Sequence, residues 1–474
     1  MPSLRVVLPP ERLPHGRLDL EALLTEVDPP VDFPPDALAE AARAAAAPAL
    51  PDHDRTDLPP VTLDPPGSKD LDQAFALERT AGGYRVHYAI ADPAAFVHTG
   101  GALDAELARR GVTLYLPDTR IPLHPPVLGE DAASLLPDVD RPCVLWTLDL
   151  GADGALMGTD VRRALVRSRA QLDYPTVQAE LDAGRADEML LLLQEIGGLR
   201  QEQARGRGAV DLPTPSQEVD VDDAGRPHLV YRAQTPVETW NAQLSLLTGT
   251  AAAALMLDGG VGLLRTLPPP ADDDVEALRR SARALGVTWP DGTSHGDLVS
   301  SLDPDDPAGA ALLVLATRLL RGAGYTPFDG TPPEQPLHAG VAAAYAHCTA
   351  PLRRYADRYV SEVCLSLHAG TPVPDDVRAA LPGLPAVMAE ATARASTVER
   401  GVVDLAEAVV LAPCVGTVFD AVVVAAGSSS GTVQLTEPAV RAPCDGEQLP
   451  LGEAVRARLV EADVSRRAVR FARD

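Results

Sequence analysis

The stretch Thr62-Leu63-Asp64-Pro65-Pro66-Gly67-Ser68-Lys69-Asp70-Leu71-Asp72-Gln73-Ala74-Phe75-Ala76-Leu77 decides how the chain is read, because three carboxylates fall within its nine positions 64–72. Val61 to Leu63 reads as the end of a short strand, Pro65-Pro66-Gly67 bends the backbone, and Leu71, Phe75 and Leu77 open a second apolar series. Side chains alternate in extended backbone, so Asp70 and Asp72 project to one side while Leu71 faces the core, and Asp64 folds back towards them. Like charges this close repel unless a cation or a shared proton compensates them. A hard divalent ion is the simplest compensation, and all-oxygen ligation points to Mg²⁺ or Mn²⁺. The plainer alternative is a solvated acidic turn; the apolar interleaving and the rigid Pro-Pro-Gly weigh against it. An EF-hand is excluded, since the fifth and sixth positions counted from Asp70 are Ala74 and Phe75 where an oxygen ligand and glycine are required.

Composition narrows the function further. The 474 residues are 46% hydrophobic, ample for a packed core, and the length suits about three domains. A net charge of −26 argues against a general nucleic-acid-binding surface. An RNA substrate therefore requires arginines concentrated in a channel, with acidic runs such as Asp272-Asp273-Asp274 on outer loops. Lys69 is the only lysine, so phosphate contacts would be made by arginine, bidentately. The five cysteines form no Cys-x-x-Cys pair, which predicts a reduced chain with no disulfides and no structural zinc. With no signal peptide and no long apolar span, a soluble cytoplasmic protein with no membrane partner is expected.

Downstream, His338-Ala339-Gly340 to Arg353-Arg354-Tyr355-Ala356-Asp357-Arg358 carries the second strong pattern. Thr349 suits an N-cap and Pro351 a first turn, so a helix is expected from there to about Leu367. Arg353 and Arg354 would then oppose the helix dipole, which suggests a bound anion; pairing with surface acids is the alternative. From Leu411 the chain becomes short apolar segments (Val415 to Phe419, Ala421 to Ala425, Thr432 to Leu435, Ala454 to Val460, Ala468 to Phe471) between Gly/Ser/Asp turns. Five strands of this kind suggest an OB barrel of S1 type.

The acidic stretch resembles the catalytic signature of the ribonuclease II / ribonuclease R (RNB) family of 3′-to-5′ exoribonucleases, where four aspartates take the spacing of Asp64, Asp70, Asp72 and Gln73. The fourth is Gln here. The resemblance runs from about 59 to 405 and includes Tyr115-Leu116-Pro117, Ser168-Arg169-Ala170-Gln171-Leu172-Asp173-Tyr174, Gly208-Ala209-Val210-Asp211-Leu212 and Val398-Glu399-Arg400. Two further departures stand out: Leu212 occupies a position that is normally aromatic, and Trp240-Asn241-Ala242 lacks the family's glutamates.

The resemblance implies an α+β fold: a short, mainly helical N-terminal segment (1–58) with no room for the usual preceding OB folds, an RNB catalytic domain of mixed sheet and packed helices (59–408), and an S1-type barrel (409–474). It implies Asp64, Asp70, Asp72 and Gln73 as metal ligands, with Asp70, Asp72 and Arg353 catalytic. Tyr115, Tyr174, Arg169, Arg354 and Glu399 become RNA contacts, although alone Tyr115 reads rather as a packing residue and Glu399 nearly as well as a surface carboxylate. The implied function is metal-dependent, processive 3′-to-5′ hydrolysis of single-stranded RNA to nucleoside 5′-monophosphates by a monomer. A catalytically weakened RNA-binding protein is the rival, supported by Gln73, Leu212 and the missing glutamates. A phosphohydrolase for small molecules comes third, opposed by the barrel and by the extent of the resemblance.

Overall fold

The bend at Pro65-Pro66-Gly67 separates strand Val61–Asp64 from strand Gln73–Thr80, and Gly67 takes the left-handed φ of +78° that the turn demands. Gln73–Thr80 then hairpins into Gly83–Ala91 with Thr80 opposite Gly83. In this computed structural model the described residues are 20–474 apart from 118, 211, 213, 214, 222–226 and 305, and the apolar run Leu4 to Leu8, which reads as a short strand, lies outside them.

These three strands sit inside a six-stranded sheet ordered Leu156–Arg167, Asp140–Gly151, Gly83–Ala91, Gln73–Thr80, Val61–Asp64, Ala170–Asp173. All neighbours are antiparallel except the last pair, which is parallel with Asp64 opposite Asp173. Phe75, Tyr88, Ile90 and Trp146 are buried in its core. In the N-terminal segment the leucines and alanines of Leu18 to Val27 and Ala37 to Ala46 recur at helical spacing, and the helices occur as Glu21–Val27 and Pro35–Ala46, the second opening on its proline.

Helix Pro236–Gly259 begins with a capping box between Thr235 and Glu238 and reaches the sheet through Asn241, whose Nδ2 donates to Leu63 O at 3.3 Å. At Gly249 a Cβ would stand 2.2 Å from the Tyr345 ring and 2.5 Å from the Ala346 carbonyl oxygen, and backbone cannot yield there. Gly249→Ala is expected to cost about 1–3 kcal/mol, read as a lowered urea midpoint.

The expectation that Thr349 caps a helix is corrected. Helix Tyr355–Ala369 starts six residues later, with Arg354 at its N-cap position. The amides that would have joined its first turn are taken by carboxylates instead: Ala350 N donates to Asp357 Oδ2 at 2.9 Å and Leu352 N to Asp72 Oδ1 at 2.7 Å. Residues 349–354 are thus a tethered turn.

At the C-terminus five strands close into a barrel: Val418–Ala426, Ser430–Leu435, Val440–Asp445, Ala454–Asp463 and Ala468–Arg473. The two segments expected at 415–419 and 421–425 belong largely to one strand, and Val440–Asp445 was not anticipated because Pro443 interrupts its apolar pattern. Helix Leu384–Leu411 packs Val398, Val402 and Leu405 into the barrel's cluster with Val423, Leu459 and Phe471.

Glu407 of this helix is buried against the barrel, where its Oε1 accepts from Gln217 Nε2 (2.9 Å) and Arg441 N (3.1 Å). Burial pushes its carboxyl up to about 7. The unfolded chain ionises Glu near 4.5, so between those values folding takes up a proton and stability falls as pH rises. The loss totals up to about 3 kcal/mol. Glu407→Gln, whose carbonyl oxygen can accept both hydrogen bonds, is expected to raise Tm at pH 8 while changing it little at pH 5; equal Tm shifts at both would contradict this.

The five cysteines are free thiols, four of them buried. No helix among the described residues is long and apolar enough to cross a membrane.

Candidate active site

A cavity of about 380 Å³ opens where the bend 65–68, hairpin 114–121, turn 349–354 and helix Leu384–Leu411 meet. Asp64, Asp70, Asp72, Gln73, Tyr115, Tyr174, Arg353 and Glu399 all line it. Arg169 and Arg354 do not. Arg169 is held on the surface by donating to the Thr56 carbonyl at 2.6 Å, and Arg354 turns to Asp357 at 2.7 Å.

Each carboxylate is placed by a different long-range device. Leu71 is fully buried and the bend behind it is pinned by Ser134, whose Oγ accepts from Leu71 N (2.9 Å) and donates to Lys69 O (2.7 Å). Asp70 and Asp72 therefore face the cavity. Asp72 is 3% exposed, accepts from Leu352 N, and pairs with Arg353, Nε to Oδ2, at 3.1 Å. Burial pushes its carboxyl up to about 8 against the pull of Arg353. Asp70 takes the Tyr115 hydroxyl on Oδ2 at 2.9 Å and pairs through Oδ1 with Arg120. Arg120 also pairs with Glu130 at 2.8 Å.

The parallel register that sets Asp64 beside Asp173 delivers the next residue, Tyr174, to the cavity. Its hydroxyl accepts from Asn241 Nδ2 at 3.0 Å, so this carboxamide organises the wall from behind. Burial raises the Tyr174 hydroxyl to about 12, so it stays protonated. Glu399 is also pushed up by burial.

Gln73 lines the cavity with both ends of its amide engaged. Its Oε1 accepts from Tyr88 Oη (2.7 Å) and Ser245 Oγ (3.4 Å), and its Nε2 donates to the Thr349 carbonyl. Thr349 O can only accept, which fixes the amide's orientation. Gln73 is thereby a strut between the sheet and the turn that carries Arg353.

The donor set suits a hard divalent cation in kind, since carboxylate oxygens surround one cavity. Among the described residues no three His, Cys, Asp or Glu side chains converge closely enough to ligate a single ion. Asp70 is turned onto Arg120 and Tyr115, and Asp72 onto Arg353.

Sequence reasoning missed Arg120, Asn241, Tyr88 and Ser245 as site residues. Only Arg120 had a usable signal, because it lies across a short hairpin from Tyr115 and pairs with it in register. Leu212, expected at the second aromatic position, packs against the cluster that holds Leu278 and Leu313.

Residues 53–367 match the RNB domain, and residues 417–474 match the RNase II-type exonuclease C-terminal S1 domain. The exosome complex exonuclease RRP44 homolog A of Arabidopsis thaliana is 32% identical over 317 residues, covering 63% of this chain and 33% of the relative. Ribonuclease R of Escherichia coli is 28% identical over 321 residues, covering 64% of this chain and 39% of the relative. The chain thus spans well under half the length of either curated relative. The apo form of Mycoplasma genitalium RNase R superposes with a TM-score of 0.84 at 21% identity over 96% of this chain and 78% of that one. The likeness extends through both the aspartate cavity and the barrel, and because the RNB match takes in well over half of its residues, this chain belongs to the RNB family.

Proposed function

We propose that this protein is a 3′-to-5′ exoribonuclease that hydrolyses single-stranded RNA processively to nucleoside 5′-monophosphates with a divalent cation, Mg²⁺ or Mn²⁺. The observation that carries this is the pairing of Arg353 with the buried Asp72 in the wall of a cavity that also holds Asp64, Asp70 and a partly exposed tyrosine. The Mycoplasma RNase R was also solved with ribose-methylated single-stranded RNA, which supports the substrate class.

Asp64, Asp70 and Asp72 would hold the cation once Asp70 turns from Arg120 and Asp72 from Arg353, and its chemistry is to lower the pKa of water and polarise phosphoryl oxygen. Arg353 sits beside Asp72 and neutralises charge developing on the scissile phosphate. Tyr115, partly exposed at the rim, stacks a terminal base regardless of its identity, contributing about 1–3 kcal/mol per base. Tyr174, protonated and held by Asn241, donates to the terminal ribose or phosphate. Glu399 and Val402 close the side nearest the barrel, whose Arg456, Arg458, Arg466, Arg467, Arg470 and Arg473 guide the RNA backbone.

Incubating the protein with 5′-labelled RNA, 3′-blocked RNA and a DNA oligomer, with and without Mg²⁺ or Mn²⁺, tests this reading. Metal-dependent shortening of unblocked RNA alone, with monophosphates accumulating, is expected. The engaged amide of Gln73 favours a second reading, an RNA-binding protein with weakened chemistry. Retention of RNA without shortening would select it.

A further inference from the structure

Helix Glu188–Gly206 ends in Leu199-Arg200-Gln201-Glu202-Gln203-Ala204-Arg205-Gly206, followed by Arg207, and the helical period sets Arg200, Ala204 and Arg207 on one side. That side walls a second cavity of about 370 Å³, closed by Thr239 and Gln243 of the neighbouring helix and by Gly340. It shares no lining residue with the aspartate cavity.

Arg200 is 6% exposed. Its Nη1 donates to the Gly154 carbonyl at 2.9 Å, while its buried Nε has no hydrogen-bond partner. Arginine is rarely buried without an acidic partner. Yet among the described residues no Asp or Glu lines this cavity, although the chain carries 67 acidic against 41 basic residues. Arg207 lies close enough to repel Arg200, and Arg205 adds a third guanidinium. A helix C-terminus accounts for cations in its last turn, which covers Arg205 and Arg207. It does not account for Arg200, buried well before the helix ends.

We propose that this cavity is a phosphate-binding site, occupied by a free nucleoside 5′-monophosphate or by one backbone phosphate of a bound RNA. Guanidinium groups bind phosphate bidentately. Gln201, Gln243 and Thr239 offer neutral polar groups to a sugar or base, and the volume lies in the range of small-ligand sites. The site is independent of the catalytic reading.

The test is calorimetric titration of the full chain with 5′-AMP in EDTA at low salt, for wild type, Arg207→Gln, Arg353→Ala and the surface control Arg185→Gln. It is paired with binding of a 3′-blocked RNA across a salt series. Arg207 is exposed at the rim, so its variant should fold, which circular dichroism checks. If a free nucleotide is the ligand, Arg207→Gln weakens AMP binding by about tenfold or more, Arg185→Gln does not, and the RNA salt slope is unchanged. If the ligand is an RNA phosphate, Arg207→Gln flattens that slope by about 0.7. The proposal is overturned if Arg207→Gln alters neither AMP affinity nor slope, if Arg185→Gln does the same, or if AMP binding is lost only in Arg353→Ala.

Discussion

Asp72→Asn is expected to abolish RNA cleavage, by about 1,000-fold or more in kcat, while leaving RNA binding largely intact. Asparagine can still accept from Leu352 N, so the turn 349–354 keeps its tether. What disappears is the carboxyl oxygen that pairs with Arg353. With that pairing gone, Arg353 is freer to bind phosphate, so affinity for RNA in the absence of turnover should hold or rise. Single-turnover cleavage and filter binding on the same preparation separate the two effects. Turnover near that of wild type would remove Asp72 from the mechanism.

Gln73→Glu is expected to lower kcat by about 100-fold despite being almost isosteric. The amide nitrogen that donates to Thr349 O becomes a carboxylate oxygen, and two acceptors then face each other in a partly buried place. Either the glutamate is held protonated or the turn retreats. A retreat moves Arg353, and misplacement of about 1 Å costs on the order of 100-fold. Gln73→Asp is too short to bridge Tyr88 and Thr349 but supplies the family's carboxylate, so a modest change is expected in a working enzyme. A large rate gain from a near-zero baseline in Gln73→Asp would instead identify an RNA-binding protein that lost its chemistry. Kinetics of both variants over a Mg²⁺ series read out the difference, since a purely structural strut would leave the metal requirement unmoved.

Much of this protein was legible in its sequence because the decisive signals are local. The Pro-Pro-Gly bend, the alternation that buries Leu71 and turns Asp70 and Asp72 to the cavity, and the helical periods are set by neighbouring residues. The closed barrel was legible in the same way, as strand-length apolar runs between turns, though one strand was concealed by Pro443. Helix Tyr355–Ala369 was read five residues too long at its start, because Thr349 and Pro351 have good capping chemistry locally. Tertiary structure overrode it by offering Asp72 and Asp357 to the same amides.

The electrostatic state of the cavity was decided by tertiary structure alone. Leu352 reaches Asp72 across 280 positions and Gln73 reaches Thr349 across 276, distances at which no periodicity carries information. Sequence alone determined which residue types were available: three aspartates, an arginine pair, a tyrosine and one glutamine out of pattern. Folding determined that Arg353 turns into the cavity while Arg354 turns to Asp357, and that Gln73 becomes a strut. The reason is physical: a carboxylate's charge, an arginine's partner and an amide's free lone pair depend on what long-range packing brings within about 3 Å.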